Sequence, residues 1–279
     1  MSKRVWLITG GARGIGKEIV LAALAQGDAV AATSRKAENL SWLAEHSSDN
    51  VLALALDLTD SAQVKLAVND VIEKFGTVHV LVNNAGYGQF GAIEELSDDD
   101  IRTQMEANVY GPLYAIRAAL PAMKNNKNSH SHIINLSSIA GLVGTAGIGM
   151  YNASKFALEG LSEALALEVK PLGINVTLVE PGGVRTDFAG DSLQQPGNGL
   201  IADYEETRGT TGRTLARVNG SQISDPVKVA RAIIDLANHP EPPLRIVLGA
   251  DALPRIKNKL EAHAKLIADW EQVTLSVGY

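Results

Sequence analysis

Tyr151-Asn152-Ala153-Ser154-Lys155 sets a phenol and an ammonium four residues apart. On a helix that spacing puts both on one face, one turn from each other. A free tyrosine has a pKa of roughly 10 and is almost wholly protonated at neutral pH. A neighbouring ammonium favours the phenolate, so the Tyr151 pKa is expected to fall. A phenol tuned in this way gives a proton to a carbonyl oxygen, or takes one from an alcohol. The pair alone carries little, because Tyr and Lys at this spacing are common on helix surfaces. Two serines strengthen it. Ser137 and Ser138 close the run Ile133-Ile134-Asn135-Leu136 at the carboxyl end of an expected strand, the edge where open parallel sheets bind ligands. A hydroxyl there could hold a substrate oxygen near the phenol. Neighbours on a strand point oppositely, so one serine faces the site, and spacing leaves open which.

A second chemical element lies near the start. Thr9-Gly10-Gly11-Ala12-Arg13-Gly14-Ile15-Gly16 follows an expected strand and opens an expected helix. Glycines let the backbone turn sharply and approach a pyrophosphate closely. The helix N-terminus offers free N–H groups and partial positive charge to phosphates. A tight turn without a ligand, or an S-adenosylmethionine site in a methyltransferase, would use similar residues. The end of the second strand bears on the cofactor. NAD enzymes usually place an acid there for the ribose 2′-hydroxyl. Here the stretch is Ala31-Ala32-Thr33-Ser34-Arg35-Lys36, without an acid. Arg35 can bind a 2′-phosphate by charge-assisted bonds, Ser34 can add a hydroxyl, and Arg13 could reach the same phosphate from the other side. NADP(H) is therefore the expected cofactor.

These groups need a scaffold. Short apolar runs at 5–9, 29–33, 51–55, 78–82, 133–136, 176–179 and 244–248 read as strands. Helical patterns at 16–25, 61–75, from Ser97, 151–169 and 226–238 alternate with them. Strands joined by crossover helices imply an α/β fold: a single Rossmann-type, doubly wound domain over 1–250, with a parallel sheet of about seven strands covered on both faces. Residues 190–220 lack clear periodicity and read as a lid insert. The tail over 252–273 reads as one amphipathic helix, with Leu253, Ile256, Leu260, Ala264 and Ile267 along one side. Within the extension at 251–279 that helix is expected to pack on its own domain.

Composition narrows the partners. The chain of 279 residues has a formal net charge of −6, so no general attraction to nucleic acid or anionic lipid is expected. It has no cysteine, which excludes disulfides and thiolate chemistry and suits a cytoplasmic setting. Ser2-Lys3-Arg4 precedes an apolar run too short for a leader, and no stretch is long enough to span a membrane. His130 and His132 flank Ser131 in what reads as a solvated turn, and no metal site is expected.

Taken in order, the glycine loop, Asn83-Asn84-Ala85-Gly86 after the fourth strand, Ser138, Tyr151–Lys155 and Pro181-Gly182 after the sixth strand resemble the short-chain dehydrogenase/reductase family nearly to Leu248. Arg13 and Arg35 resemble its NADP-preferring branch. The stretch Val184-Arg185-Thr186-Asp187-Phe188 and the long tail are loosely similar to retinol and 17β-hydroxysteroid dehydrogenases of that family. The resemblance implies Tyr151 as general acid/base, Lys155 lowering its pKa and binding the nicotinamide ribose, and Ser138 polarising the substrate. Ser138 precedes Tyr151 by the family's usual thirteen positions, which favours it over Ser137. The resemblance further implies Asn108 as anchor of a proton-relay water. Asp57 and Leu58 would lie at the adenine, and Asn84, Ala85 and Gly86 along the cofactor. Pro181, Gly182, Val184 and Thr186 would meet the nicotinamide end. The implied partner is a small carbonyl or alcohol, apolar and of medium size, held among Leu142, Val143, Phe188 and Leu193. The implied assembly is a dimer or tetramer. A non-catalytic NADP(H)-sensing protein on the same fold is the alternative.

Overall fold

Val5–Ile8 (β1) has no exposed side, and its alternate residues feed two different cores. Trp6 and Ile8 join one apolar cluster with Ile19, Val20, Ile233 and Ile234. Val5 and Leu7 join another with Val68, Ile116, Ile133 and Val176. The alternation follows from strand geometry, and burial on both faces explains why β1 reads as an unbroken apolar run. The computed structural model describes residues 3–126, 131–190 and 192–278. Ser2 and His130, used above, lie outside the described residues.

The elements follow in order. Gly14–Ala25 (α1) leads to Ala29–Ser34 (β2) and Val51–Ala55 (β3), then Ser61–Phe75 (α2) and Val80–Asn83 (β4). Gly88–Gln89 (β5), Asp98–Met105 (α3) and Gly111–Lys124 (α4) precede Ser131–Leu136 (β6) and Gly149–Val169 (α5). Ile174–Pro181 (β7), Leu193–Gln194 (β8), Glu205–Val218 (α6) and Pro226–Asn238 (α7) lead to Arg245–Leu248 (β9), Ala252–Asp269 (α8) and Glu271–Leu275 (α9). Seven strands form one sheet in the order β3-β2-β1-β4-β6-β7-β9, every pair parallel. Helices cover both faces, giving the expected doubly wound Rossmann-like domain. Strand order reverses between β1 and β4, the crevice where such sheets bind ligands.

Local chemistry fixes several boundaries. Asp60 caps α2 through the backbone N–H groups of Ala62 and Gln63, and Gly76 ends it in the left-handed region at φ 85°. Ser97 and Asp100 form a capping box at α3. Asp225 accepts from Val227 N at α7, with Pro226 at the first helical position.

Three expectations need correction. Residues 190–220 are not irregular throughout. Leu193–Gln194 pairs with Gly88–Gln89, and Glu205–Val218 is helical. That helix is held from outside: Arg208, 4 % exposed, places Nε 3.0 Å from Oε1 of the fully buried Glu95. The same Glu95 oxygen accepts Ile201 N at 2.7 Å, and its other oxygen accepts Ala92 N at 2.6 Å. The tail is two helices, broken at Trp270, and only Ala252 and Ile256 of α8 are buried. Leu260 and Ile267 are each 60 % exposed, so only the start of α8 packs on the domain. Finally, His132 is no turn residue. It lies inside β6, 1 % exposed, 2.9 Å from Thr177 Oγ1, and burial pushes its pKa down to about 3.

Arg208→Ala strands a buried carboxylate without its cation, which should loosen the 190–220 segment by about 2 kcal/mol. Faster protease cleavage within that segment, with the far-UV spectrum of the sheet retained, is the expected outcome. Cleavage at the wild-type rate would show the ion pair to be inert.

Candidate active site

The loop between β1 and α1 is built so that backbone meets backbone. Gly10 and Gly14 adopt φ 68° and 56°, where side chains are disfavoured. A Cβ on Gly16 would lie 2.3 Å from Gly10 O and 2.4 Å from Asn84 Nδ2. Asn84 ties the loop from behind, its Nδ2 donating to Thr9 O at 2.9 Å and Gly10 O at 3.1 Å. Thr9 Oγ1 accepts from the backbone N–H of Asn84 and Ala85 at 3.0 and 3.1 Å. Helix α1 has no side-chain cap and no acid in its first turn. Its first N–H groups, at Gly14, Ile15 and Gly16, thus form an uncapped positive terminus, a cradle that fits a pyrophosphate.

The groups expected at the 2′-phosphate are divided. Ser34 ends β2, and exposed Arg35 follows it with no ion pair among the described residues. Arg13 instead turns to the 190–220 side: Nη1 lies 3.6 Å from Asp187 Oδ2, and Nη2 donates to Ser192 Oγ at 2.8 Å. Asp57, just past β3, accepts from Thr59 N and Oγ1, and Leu58 packs towards Gly111.

Tyr151 and Lys155 lie in the first turns of α5, 7 % and 6 % exposed. The Lys155 ammonium stands 5.8 Å from the centre of the Tyr151 ring and donates to Leu136 O at 2.7 Å. The expected fall in the Tyr151 pKa is not what this arrangement gives. Burial pushes the phenol up to about 12, against a hydrogen bond from Ser138 that lowers it. Desolvation outweighs the Ser138 bond. Burial likewise brings Lys155 down to about 8, opposed by the charge of Glu159.

Ser138 is within hydrogen-bonding reach of the phenol and accepts from Ala140 N at 3.1 Å. Ser137 Oγ is buried without a hydrogen-bond partner among the described residues and faces Gly141. Between the two, it is Ser138 that meets Tyr151. Asn108 sits where α3 gives way to α4 through a π-turn, Glu106–Tyr110. Its amide donates to Tyr87 O and Ser154 Oγ and accepts from Tyr87 N. A Cβ on Gly86 would meet Asn108 Oδ1 at 3.0 Å and Lys155 Nζ at 3.8 Å, so these groups close in from one side.

Pro181 ends β7, and the chain then runs past Gly182 and Val184, bridged to Ser224, to Thr186 beside Gly14. Phe188 lies against the Tyr151 ring, centres 5.3 Å apart, and Leu193 is near it across Gly88. Leu142 and Val143 diverge from these, packing with Ala252 and Ile256. Two features escaped sequence reasoning. Asp251 buttresses the turn after β7, accepting from Gly183 N at 2.8 Å, and a Cβ on Gly182 would reach its Oδ1 at 2.3 Å. Glu159 and Glu180 are buried acids meeting Arg245. An acid inside the apolar run Val176–Val179 and its continuation was the available signal for Glu180.

The family profile described as short chain dehydrogenase matches residues 4–197. The chain is 39 % identical over 274 residues to the oxidoreductase BOA17 of Botryotinia fuckeliana, covering 98 % of each. It superposes on a short-chain dehydrogenase from Streptomyces avermitilis with TM-score 0.92 and 38 % identity over 100 % of both chains. A short chain dehydrogenase/reductase from Burkholderia phymatum, solved in complex with NAD, gives TM-score 0.81 at 26 % identity, covering 94 % and 95 %. This chain belongs to the short-chain dehydrogenase/reductase family of oxidoreductases.

Gly16→Ala is expected to weaken nicotinamide-nucleotide binding about tenfold or more, because the new methyl meets fixed backbone. Gly160→Ala, with open space around it in α5, should instead stabilise by about 0.5–1 kcal/mol. Fluorescence titration and thermal melting read the two; unchanged binding in the first would remove the loop from the cofactor site.

Proposed function

We propose that this chain is an NADP(H)-dependent oxidoreductase that interconverts a ketone or aldehyde and an alcohol, with Tyr151 as general acid/base. The observation that carries this reading is the meeting of Ser138, Tyr151 and Lys155 at the carboxyl edge of the sheet, beside an uncapped helix terminus. When bound, the nicotinamide nucleotide supplies or accepts the hydride. Ser138 donates to the substrate oxygen and stabilises charge developing on it. Tyr151, with its proton held well above neutrality, donates that proton to the same oxygen. Lys155 binds the ribose hydroxyls and supports the phenolate left behind. The nearness of Asn108 to Lys155 supports a part in proton resupply. Asn84, Ala85 and Gly86 brace the loop, and Pro181, Gly182, Val184 and Thr186 line the route from the phosphate loop to Tyr151.

The cofactor choice rests on residues, since the Burkholderia phymatum neighbour holds NAD. No acid immediately follows β2, where Arg35 and Lys36 stand, and Arg35 is free to meet a 2′-phosphate, with Ser34 beside it. Arg13 reaches that phosphate only by leaving Asp187. An apolar substrate is supported by Phe188 and Leu193 beside Tyr151. A cleft of about 140 Å³ lined by Phe90, Leu193, Gln195, Gly212, Leu215 and Ala216 lies against α6. Ser138, Tyr151 and Lys155 do not line it, and the lid role proposed for the 190–220 segment rests on Leu193 lying near Phe188 and Tyr151. No described helix is long and apolar enough to cross a membrane. A cysteine-free chain suits work in the cytoplasm, and a homo-oligomer is the proposed assembly.

Arg35→Ala combined with Arg13→Ala should weaken NADPH about tenfold or more and NADH far less. Equal loss for both nucleotides would reject NADP(H). Tyr151→Phe should cut carbonyl reduction by about 10²–10⁴-fold. Lys155 loses its ammonium as pH rises through about 8, while Tyr151 stays protonated. Turnover of NADPH with a ketone panel should therefore fall on the alkaline side near that value. A rate that stays flat well beyond it would detach Lys155 from the chemistry.

A further inference from the structure

Two acids lie buried behind Lys155, and one guanidinium serves them. Glu159 follows Lys155 by one turn of α5 and is 4 % exposed; Glu180, next to last in β7, is 1 % exposed. Arg245 Nε lies 3.1 Å from Glu159 Oε2 and 3.6 Å from Glu180 Oε1, and its Nη2 lies 3.0 Å from Glu163 Oε2. Three carboxyl groups thus face one cation. Glu163 is on the outer, solvated side of it. Asp251, past the end of β9, is committed to Gly183 N.

Glu159 and Glu180 are within hydrogen-bonding reach of each other, and each keeps an Oε1 without a hydrogen-bond donor among the described residues. Two ionised carboxylates have no hydrogen to place between them. Their contact becomes a bond only when one is protonated. Arg245 stands closer to Glu159, which assigns the charge to Glu159 and the proton to Glu180. Burial, then the charge of Glu159, pushes the Glu180 carboxyl up to about 7. On its other side Glu159 faces Lys155, where its charge opposes the burial that lowers the ammonium.

We propose that Glu159 and Glu180 hold one proton between them and act as positioning residues for Lys155: Glu180 keeps the shared proton and releases it to solvent as pH rises, while the charge this arrangement leaves on Glu159 keeps the lysine cationic. No other bond changes. The pair holds its proton up to about 7, where Glu180 ionises, and Lys155, supported by Glu159, loses its own at about 8. The consequence for turnover rests on the oxidoreductase reading above; the shared proton and the lysine's charge do not.

The test uses the full chain. Above about pH 5, where ordinary carboxyl groups are ionised, infrared spectra should show the carbonyl stretch of a buried carboxylic acid up to about pH 7, lost on raising the pH further and missing from that window in Glu180→Gln. In protein carrying ¹³C-lysine, the Lys155 Cε signal, assigned by its absence from Lys155→Met, should titrate about one pH unit lower in Glu159→Gln. Glu159→Asp should recover part of that shift, and the alkaline limb of turnover should move with it. A purely structural ion pair would leave the lysine titration where it is. Absence of the acid band from the wild-type protein, or an unmoved Lys155 titration in Glu159→Gln, overturns the proposal. The band needs no variant, so a misfolded one does not shield the idea. Both spectra as expected, with no carbonyl reduction by any substrate, would uphold the pair and sink the reductase reading instead.

Discussion

Lys155 is 6 % exposed, and its ammonium donates to the carbonyl oxygen of Leu136. A cation taken out of water is tolerated only where fixed dipoles and opposite charge replace the water. Much of the site can be understood as meeting that demand. Helix α5 must lie against the end of β6 to offer the carbonyl. Asn108 and Gly86 must approach from the β4 side, and Glu159 must stand one turn below. The same packing sets Tyr151 in a site so dry that its phenol keeps its proton, and brings Ser138 to it. Parallel strands deliver these parts because their carboxyl ends all emerge on one edge.

The parts that could be read from the chain alone are those governed by near neighbours. The Tyr151–Lys155 spacing works because helix geometry is local, and the glycine loop because its backbone conformation belongs to its own residues. Strands buried on both faces announce themselves as apolar runs, and β1 and β6 did so. What depended on distant residues was hidden. Helix α6 carries few apolar side chains, and its hold on the body comes from Glu95, more than a hundred positions earlier. His132 looked solvated because His130 and Ser131 are polar, while its partner Thr177 belongs to another strand. The rise of the Tyr151 pKa was illegible for the same reason, since burial is a property of the assembled fold. Glu159, Glu180 and Arg245 come from three elements, and nothing in their spacing brings them together.

Arg13 shows one residue set between two demands. Its backbone belongs to the phosphate loop, yet its side chain lies on Asp187 and Ser192. Both partners of that ion pair are more than half exposed, and exposed pairs contribute little. A doubly charged phosphate ester is a stronger rival for the guanidinium than one solvated carboxylate. On the NADP(H) reading proposed above, a 2′-phosphate and the partners Asp187 and Ser192 would contend for the same cation.

The pairing of Gly88–Gln89 with Leu193–Gln194 spans two residues a side. So short a ladder adds little cooperativity, and it can unzip without disturbing any strand of the main sheet. The cover beside Tyr151 is thus fastened separately from the main sheet, by this small seam, by Gln89 Nε2 on Gln195 O and by Arg208 on Glu95, so that loosening it leaves the seven-stranded sheet paired.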